Sequence, residues 1–128
     1  MAQNALRCHL ALAGFMGAGK STLGEEVARR LHRHFVDLDR EVELRAGATV
    51  EELFARDGEQ GFRAAEETVA AAVLDAAEPA VVALGGGAVL APVTRERLRR
   101  RAFTVLLEVE PDIAWERARA GGRPLATD

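Results

Sequence analysis

The chain has 128 residues, of which 48% are hydrophobic and 29% are charged, and its net charge is −3. This length and balance suit one folded domain with a single hydrophobic core and exclude a disordered chain. The acidic balance argues against a general nucleic-acid or membrane-surface binder, although a local basic pocket is compatible with it. A single cysteine, Cys8, excludes an internal disulfide, and no apolar run is long enough to span a membrane. We expect a cytoplasmic protein.

Apolar runs alternate with helical patterns along the chain. The first run, CHLALAG, predicts a buried strand, and Leu23, Val27 and Leu31 then recur at the spacing of one helix face. In chain order, the predicted strands are 8–14, 34–39, 80–87 and 103–110. The predicted helices are 20–35, 40–47, 50–58, 59–77, 94–101 and 111–121, and 121–128 has the composition of a loop.

The boundaries of the helices have local signals. Thr49 and Glu52 form a T-x-x-E capping box, and Gly47 and Gly58 are suitable helix stops. Strands that alternate with helices predict a three-layer α/β/α fold around a parallel sheet. Ligands of such folds bind beyond the carboxyl ends of the strands. The glycines and acids described next all follow predicted strands.

The segment GFMGAGKS, residues 14–21, matches the phosphate-loop pattern G-x-x-x-x-G-K-[ST]. Its glycines let successive backbone N–H groups point at phosphate oxygens, and the following helix N-terminus adds a favourable dipole. Lys20 is the only lysine beside sixteen arginines. A compact ammonium suits a phosphate loop where a forked guanidinium does not, so we interpret Lys20 as a phosphate ligand. Ser21 is a candidate Mg²⁺ ligand.

Three further groups follow the strands or lie on the next helix. Asp37 and Asp39 in DLD are predicted on one side of a strand end, where one could hold Mg²⁺ and the other accept a proton; alternatively, one caps the next helix. Arg63 and Glu66 are three residues apart and can pair, either as surface decoration or to grip an anionic group. The three glycines 85–87 form either an ordinary turn or a close approach to a ligand.

In order and spacing, GFMGAGKST, DLD, DGEQGFRAAEE, LGGGAV and GRPL resemble the shikimate kinase family over essentially the whole chain. The resemblance implies a nucleoside-monophosphate-kinase-like fold and ATP-dependent phosphorylation of the shikimate 3-hydroxyl, with Mg²⁺ as cofactor. It implies ATP contacts for Gly17, Ala18, Gly19, Lys20, Ser21, Thr22 and Arg123. It implies substrate contacts for Asp39, Phe54, Phe62, Arg63, Gly85, Gly86 and Gly87, with Glu66 supporting Arg63.

Specific roles follow from the same resemblance. Lys20, Asp39 and Arg123 would be catalytic, with Arg123 as a lid residue and Asp39 as the base. Ser21 and Asp37 would hold the metal, Asp37 through water.

Family members continue beyond this point, so we expect residues 1–128 to be one domain that ends within the lid, without its last strand and helix. The expected partners are ATP and shikimate, with no nucleic acid or membrane, and the chain is expected to be a monomer or part of a longer or fused polypeptide. A related small-molecule kinase, such as a gluconate or nucleotide kinase, and a non-catalytic nucleotide-binding module are the alternatives.

Overall fold

The computed structural model describes residues 8–14 and 19–107. In this part of the chain, helices and strands alternate almost throughout. The strands are β1 (His9–Gly14), β2 (His34–Asp37), β3 (Ala80–Ala83) and β4 (Ala102–Leu107). The helices are α1 (Lys20–Leu31), α2 (Leu38–Ala46), α3 (Val50–Asp75) and α4 (Pro92–Arg101), with a 3-10 turn at Ala88–Leu90. The predicted helix 111–121 and loop 121–128 lie outside the described residues.

The four strands form one parallel sheet in the order β2-β3-β1-β4. The parallel sheet is therefore confirmed, and the carboxyl ends of its strands share one edge. Asp37 at the end of β2 lies in register with Ala83 at the end of β3, and Gly14 at the end of β1 lies in register with Leu107. The sheet thus gathers the segments that follow its strands along that edge.

Helices cover both faces of the sheet. On one face, Val81 and Leu12 pack with Ala28 of α1. On the other face, Val82 belongs to a larger cluster that takes in Leu38 of α2 and Leu74 of α3. Successive residues of β3 thus point to opposite layers, as the alternation of a strand requires, and the three-layer α/β/α fold is confirmed. No helix of the described part combines the length and apolar character that a membrane span requires.

The buried face of α1 differs from the apolar stripe in its sequence. Leu23 and Leu31 are exposed, whereas Gly24 and Ala28 are buried. A Cβ at Gly24 would overlap the Phe35 ring, so the absence of a side chain lets the helix lie close to β2. The predicted helix is confirmed, although it ends at Leu31 rather than at residue 35. Val27 of the apolar stripe packs beside this inner face, whereas Leu23 and Leu31 do not, because small residues make the closest contact with the sheet.

The long helix α3 begins with the predicted capping box. The Glu52 N–H donates to Thr49 Oγ1 at 3.1 Å, and the Thr49 N–H donates to Glu52 Oε1 at 2.8 Å. Gly58 was predicted as a stop, but the helix resumes after it and continues to Asp75. Its φ of 72° and ψ of 179° interrupt the helical geometry at that one residue. Gly58 therefore separates the capped turns from the segment that carries Arg63.

His9 connects three elements at the edge of the sheet opposite the phosphate-loop segment. Its side chain is buried, and Nε2 lies 3.0 Å from the Leu74 carbonyl oxygen and 3.2 Å from that of Ala76. Its Nδ1 accepts a hydrogen bond from the Ala80 N–H at 3.0 Å. Because an N–H donates to Nδ1, the ring is held as the neutral tautomer with its proton on Nε2. His9 thus ties β1 to the end of α3 and the start of β3.

Replacing His9 by alanine should lower the free energy of unfolding by about 1–3 kcal/mol, because the substitution leaves the Ala80 N–H and two carbonyls without this partner. Urea unfolding followed by circular dichroism measures the change. His34→Ala is the matched control: His34 is 78% exposed, and its contact with Glu78 should contribute under about 1 kcal/mol. Equal losses in the two variants would contradict the assigned role of His9.

Candidate active site

The phosphate-loop segment connects the end of β1 to the start of α1. Gly14 has a φ of 147°, and a Cβ there would lie 2.6 Å from the Leu107 carbonyl oxygen. Gly19 caps α1 in the left-handed region, with a φ of 87°. Both positions therefore favour glycine, for backbone conformation and, at Gly14, for contact with β4. Gly17 and Ala18, predicted to contact ATP, lie outside the described residues, as does Arg123.

Lys20 is the first residue of α1, and its side chain reaches the end of β1. Its Nζ donates to the Gly14 carbonyl oxygen at 2.6 Å. The ammonium thus lies beside the end of β1, at the edge where the motif predicts a bound phosphate. Ser21 and Thr22 follow in the first turn of α1, both exposed, so the hydroxyl groups of this turn are accessible to a ligand.

Ser21 and Asp37, the predicted metal ligands, lie together. The Ser21 hydroxyl donates to Asp37 Oδ2 at 3.0 Å, although the two residues come from different strand–helix connections. A hydroxyl and a carboxylate are hard oxygen ligands that fit Mg²⁺, which often uses one or two protein groups together with substrate phosphates. Within the described ranges, no group of three or more His, Cys, Asp or Glu side chains is placed to form a cage around a metal ion by itself. The pair therefore fits a metal shared with a phosphate.

We predicted that the two aspartates lie on one extended strand end, and this prediction is wrong. Asp37 ends β2 and caps α2, its Oδ1 accepting from the Arg40 N–H at 3.4 Å, and the chain turns helical at Leu38. Asp39 consequently lies in the first turn of α2. The alternative that one aspartate caps the next helix is correct for Asp37, which also contacts Ser21.

The first turn of α2 brings the Asp39 carboxylate against the segment after β3. A Cβ at Gly85 would lie 2.8 Å from Asp39 Oδ1 and 3.2 Å from Oδ2. Gly85 therefore leaves space that the carboxylate occupies. The next glycine is different: a Cβ at Gly86 would meet no atom within 4 Å. The three glycines thus have distinct surroundings rather than forming one uniform turn.

Arg63 makes a polar contact that is partly buried. Its Nη1 donates to Glu66 Oε1 at 3.0 Å, and the Glu66 side chain is only 5% exposed. A Cβ at Gly87 would overlap the guanidinium, whose central carbon lies 5.4 Å from the centroid of the Phe62 ring. The interpretation of the Arg63–Glu66 pair as surface decoration is therefore wrong, because surface pairs do not bury a carboxylate.

Two phenylalanines stack beside this arginine. The rings of Phe54 and Phe62 have centroids 4.7 Å apart at an interplanar angle of 27°. Phe62 is buried and supports Arg63, whereas Phe54 is exposed. Two aromatic rings from the two sides of Gly58 thus form an apolar surface beside a cation.

Burial raises the pKa of the Glu66 carboxyl above its ordinary value of 4.5. The hydrogen bond and charge of Arg63 act in the opposite direction, and the negative charge of Asp39 raises the pKa further. The charges of both Arg63 and Asp39 therefore act on the Glu66 carboxyl. The free-energy cost of burying the charged carboxylate therefore exceeds the stabilisation that it gains by pairing with Arg63.

Glu66→Gln should unfold with a free energy at least equal to that of the unchanged chain at neutral pH, because the amide fills the same space without a buried charge. The pKa of Glu66 is higher in the folded state than its ordinary value of 4.5, so the protonated carboxyl stabilises the fold. This stabilisation is complete below pH 4.5 and is lost as pH rises through the folded-state pKa. The advantage of the variant should therefore shrink as pH falls from neutral to about 4.5. Urea unfolding at several pH values measures it, and an advantage that grew with acid would contradict this assignment.

A cleft of about 290 Å³ opens beside Arg63 and Gly87, between α3 and the segment before α4. The residues lining it that sequence reasoning missed are Glu59, Glu67, Ala88, Leu90, Ala91 and Thr94. Glu59 could have been found, because it precedes Arg63 by one helical turn and can pair with it. Glu67 lies on α3, one turn after Arg63. The others come from the 3-10 turn, from Ala91 and from the first turn of α4, whose position against α3 has no local signal.

The sheet edge therefore joins Lys20, Ser21 and Asp37 on one side to Asp39 and Gly85 on the other. Arg63 with Glu66, Gly87 and the two phenylalanines forms a second group, which the charge of Asp39 couples to the first through Glu66. A phosphate loop after β1 of a parallel α/β/α sheet, with an acid and a half-buried arginine at the same edge, defines the phosphate-loop kinases as the class.

Comparison with known proteins gives the family. The family model described as shikimate kinase matches residues 16–128. A shikimate kinase from Symbiobacterium thermophilum is 48% identical over 91% of this chain, and one from Nitrobacter winogradskyi is 47% identical over 91% of it. The structure of a shikimate kinase from Acinetobacter baumannii in complex with shikimate superposes with a TM-score of 0.87 at 35% identity, covering 96% of this chain and 69% of that one.

The chain belongs to the shikimate kinase family. It spans 68% of the length of the Symbiobacterium relative and 54% of the Nitrobacter relative. The alternative of a gluconate or nucleotide kinase is not favoured by these matches.

Proposed function

We propose that this chain transfers the γ-phosphoryl group of ATP to the 3-hydroxyl of shikimate, giving ADP and shikimate 3-phosphate. The observation that carries the proposal is the Arg63–Glu66 pair at the same sheet edge as Lys20 and Asp39. A general phosphate-loop protein has no need for an arginine that a buried carboxylate holds beside an apolar surface and a cleft. A substrate with one carboxylate, several hydroxyls and a hydrocarbon ring requires all three.

Each residue has a proposed role. Lys20, with the backbone of the loop that includes Gly17 and Ala18, binds the ATP phosphates, and Arg123 approaches the same phosphates. Arg63 pairs with the substrate carboxylate, and Phe54 and Phe62 contact the ring. The glycines 85–87 approach the substrate through their backbone.

Asp39 binds the hydroxyl that reacts and takes its proton. The hydroxyl oxygen forms a bond to the γ-phosphorus while the bond to the β,γ-bridging oxygen breaks, and ADP leaves. Ser21, and Asp37 through water, would hold Mg²⁺, which would neutralise charge on the phosphates. Phosphoryl transfer depends mainly on such positioning and charge neutralisation, so no covalent nucleophile of the protein is needed.

The test is ADP production from ATP and Mg²⁺ by this chain, with and without shikimate and with gluconate as the alternative acceptor. The proposal expects release of ADP that depends on shikimate. Release with gluconate alone would favour the other small-molecule kinase. Nucleotide binding without turnover on either acceptor would favour the non-catalytic module.

A further inference from the structure

Arg63 lies between two carboxylates of its own helix that differ greatly in their surroundings. Glu66 is 5% exposed, and its Oε1 lies 3.0 Å from Arg63 Nη1. Glu59, one turn earlier, is 70% exposed, and its Oε2 lies 3.8 Å from Nη2. Glu59 also lines the cleft beside Arg63. The two acids therefore contact different nitrogens of one guanidinium, one from the interior and one from the solvent side.

The orientation of the guanidinium does not depend on Glu59. Glu66 holds Nη1 by a hydrogen bond, Phe62 lies beneath the guanidinium, and the backbone of Gly87 lies so close that no Cβ fits between them. The distance from Glu59 to Nη2 exceeds that of a hydrogen bond. Glu59 therefore acts on Arg63 by charge and not by fixing its geometry.

Glu59 lies beside the nitrogen that Glu66 does not hold. Glu66 occupies one N–H of Nη1, so a carboxylate that approaches Nη2 from the cleft comes close to the negative charge of Glu59, 3.8 Å from that nitrogen. We propose that Glu59 is an electrostatic competitor of the substrate carboxylate at Arg63 and so sets how tightly the substrate is held. This inference rests on the proposed function, and it makes Glu59 a determinant of KM that touches no reacting atom.

Such a competitor has a physical consequence for turnover. Substrate and product of the proposed reaction carry the same carboxylate, so Arg63 binds both equally. Binding that is uniform along the reaction lowers KM without raising kcat. An exposed acid that weakens this contact therefore raises KM and leaves kcat unchanged, while the buried Glu66 keeps Arg63 in place.

The experiment is Glu59→Gln in this chain, with Glu67→Gln as the matched control. Glu67 lies on the same helix and lines the same cleft, and no ion pair with Arg63 is recorded for it in the described part of the chain. For Glu59→Gln we expect KM and the calorimetric Kd for shikimate to fall roughly two- to fivefold, with kcat unchanged. The gain should shrink as salt is added, because Glu59 is exposed to solvent.

Three results would overturn the inference while leaving the proposed function intact. The first is an unchanged KM and Kd in Glu59→Gln. The second is a rise in both constants in that variant, which would mean that Glu59 positions Arg63. The third is an equal fall of both constants in Glu67→Gln, which would mean a general effect of charge. If the unchanged chain neither binds shikimate nor turns it over, the proposed function itself fails and this inference fails with it.

Discussion

Replacing Lys20 by arginine should lower kcat/KM for ATP by at least about a hundredfold, although the positive charge is kept. The Lys20 ammonium reaches the Gly14 carbonyl oxygen at 2.6 Å from the first turn of α1. A guanidinium is planar, forked and larger, so it cannot occupy that point while backbone N–H groups surround the same phosphate. Charge alone is therefore not sufficient at this position, which explains why a chain with sixteen arginines has its one lysine here.

Coupled measurement of ADP release gives the kinetic constants, and thermal unfolding shows whether the variant folds. Arg29→Lys is the control, because it exchanges the same two residue types in the last turn of the same helix, where Arg29 is 72% exposed and pairs with Glu26. We expect that variant to retain the activity of the unchanged chain. If Lys20→Arg remained within about threefold of it, the lone lysine would be accidental and our interpretation of it wrong.

Much of the site could be predicted because its elements have local signals. The phosphate-loop pattern, the capping box at Thr49 and the apolar strands each occupy a few consecutive residues. The parallel sheet then places the segments after β1, β2 and β3 at one edge, whatever the details of packing. The edge at which Lys20, Asp37 and Gly85 lie thus follows from the order of the elements alone.

What could not be predicted depends on contacts between distant segments. The spacing of Leu23, Val27 and Leu31 indicates a helix but not that Gly24 makes the closest contact with β2, because that contact depends on where the ring of Phe35 lies. The helical placement of Asp39 depends on Asp37 acting as a cap. The burial of Glu66 depends on how α3 lies against its neighbours, so spacing alone left the Arg63 pair undecided.

Replacing Asp39 by asparagine should lower kcat by about a hundredfold to ten-thousandfold with little change in ATP binding. The amide has nearly the same shape as the carboxylate, so the close contact with Gly85 is retained and the position of the side chain is preserved. What is lost is the capacity to accept a proton from the attacking hydroxyl. A loss in kcat therefore reports on chemistry and not on packing.

Glu41→Gln is the control for this substitution, because Glu41 lies two residues further along α2, where its side chain pairs with Arg45 at 3.0 Å near the surface. It should leave kcat unchanged.

A second readout concerns Glu66: burial is the main cause of its raised pKa, and the negative charge of Asp39 adds to it, so Asp39→Asn should lower that pKa towards its ordinary value. An unchanged kcat with a weaker Kd for shikimate would mean that Asp39 binds the hydroxyls and another group takes the proton. An unchanged kcat and an unchanged Kd would remove Asp39 from the site altogether, because a carboxylate that contacted the hydroxyls could not lose its charge without altering one of the two.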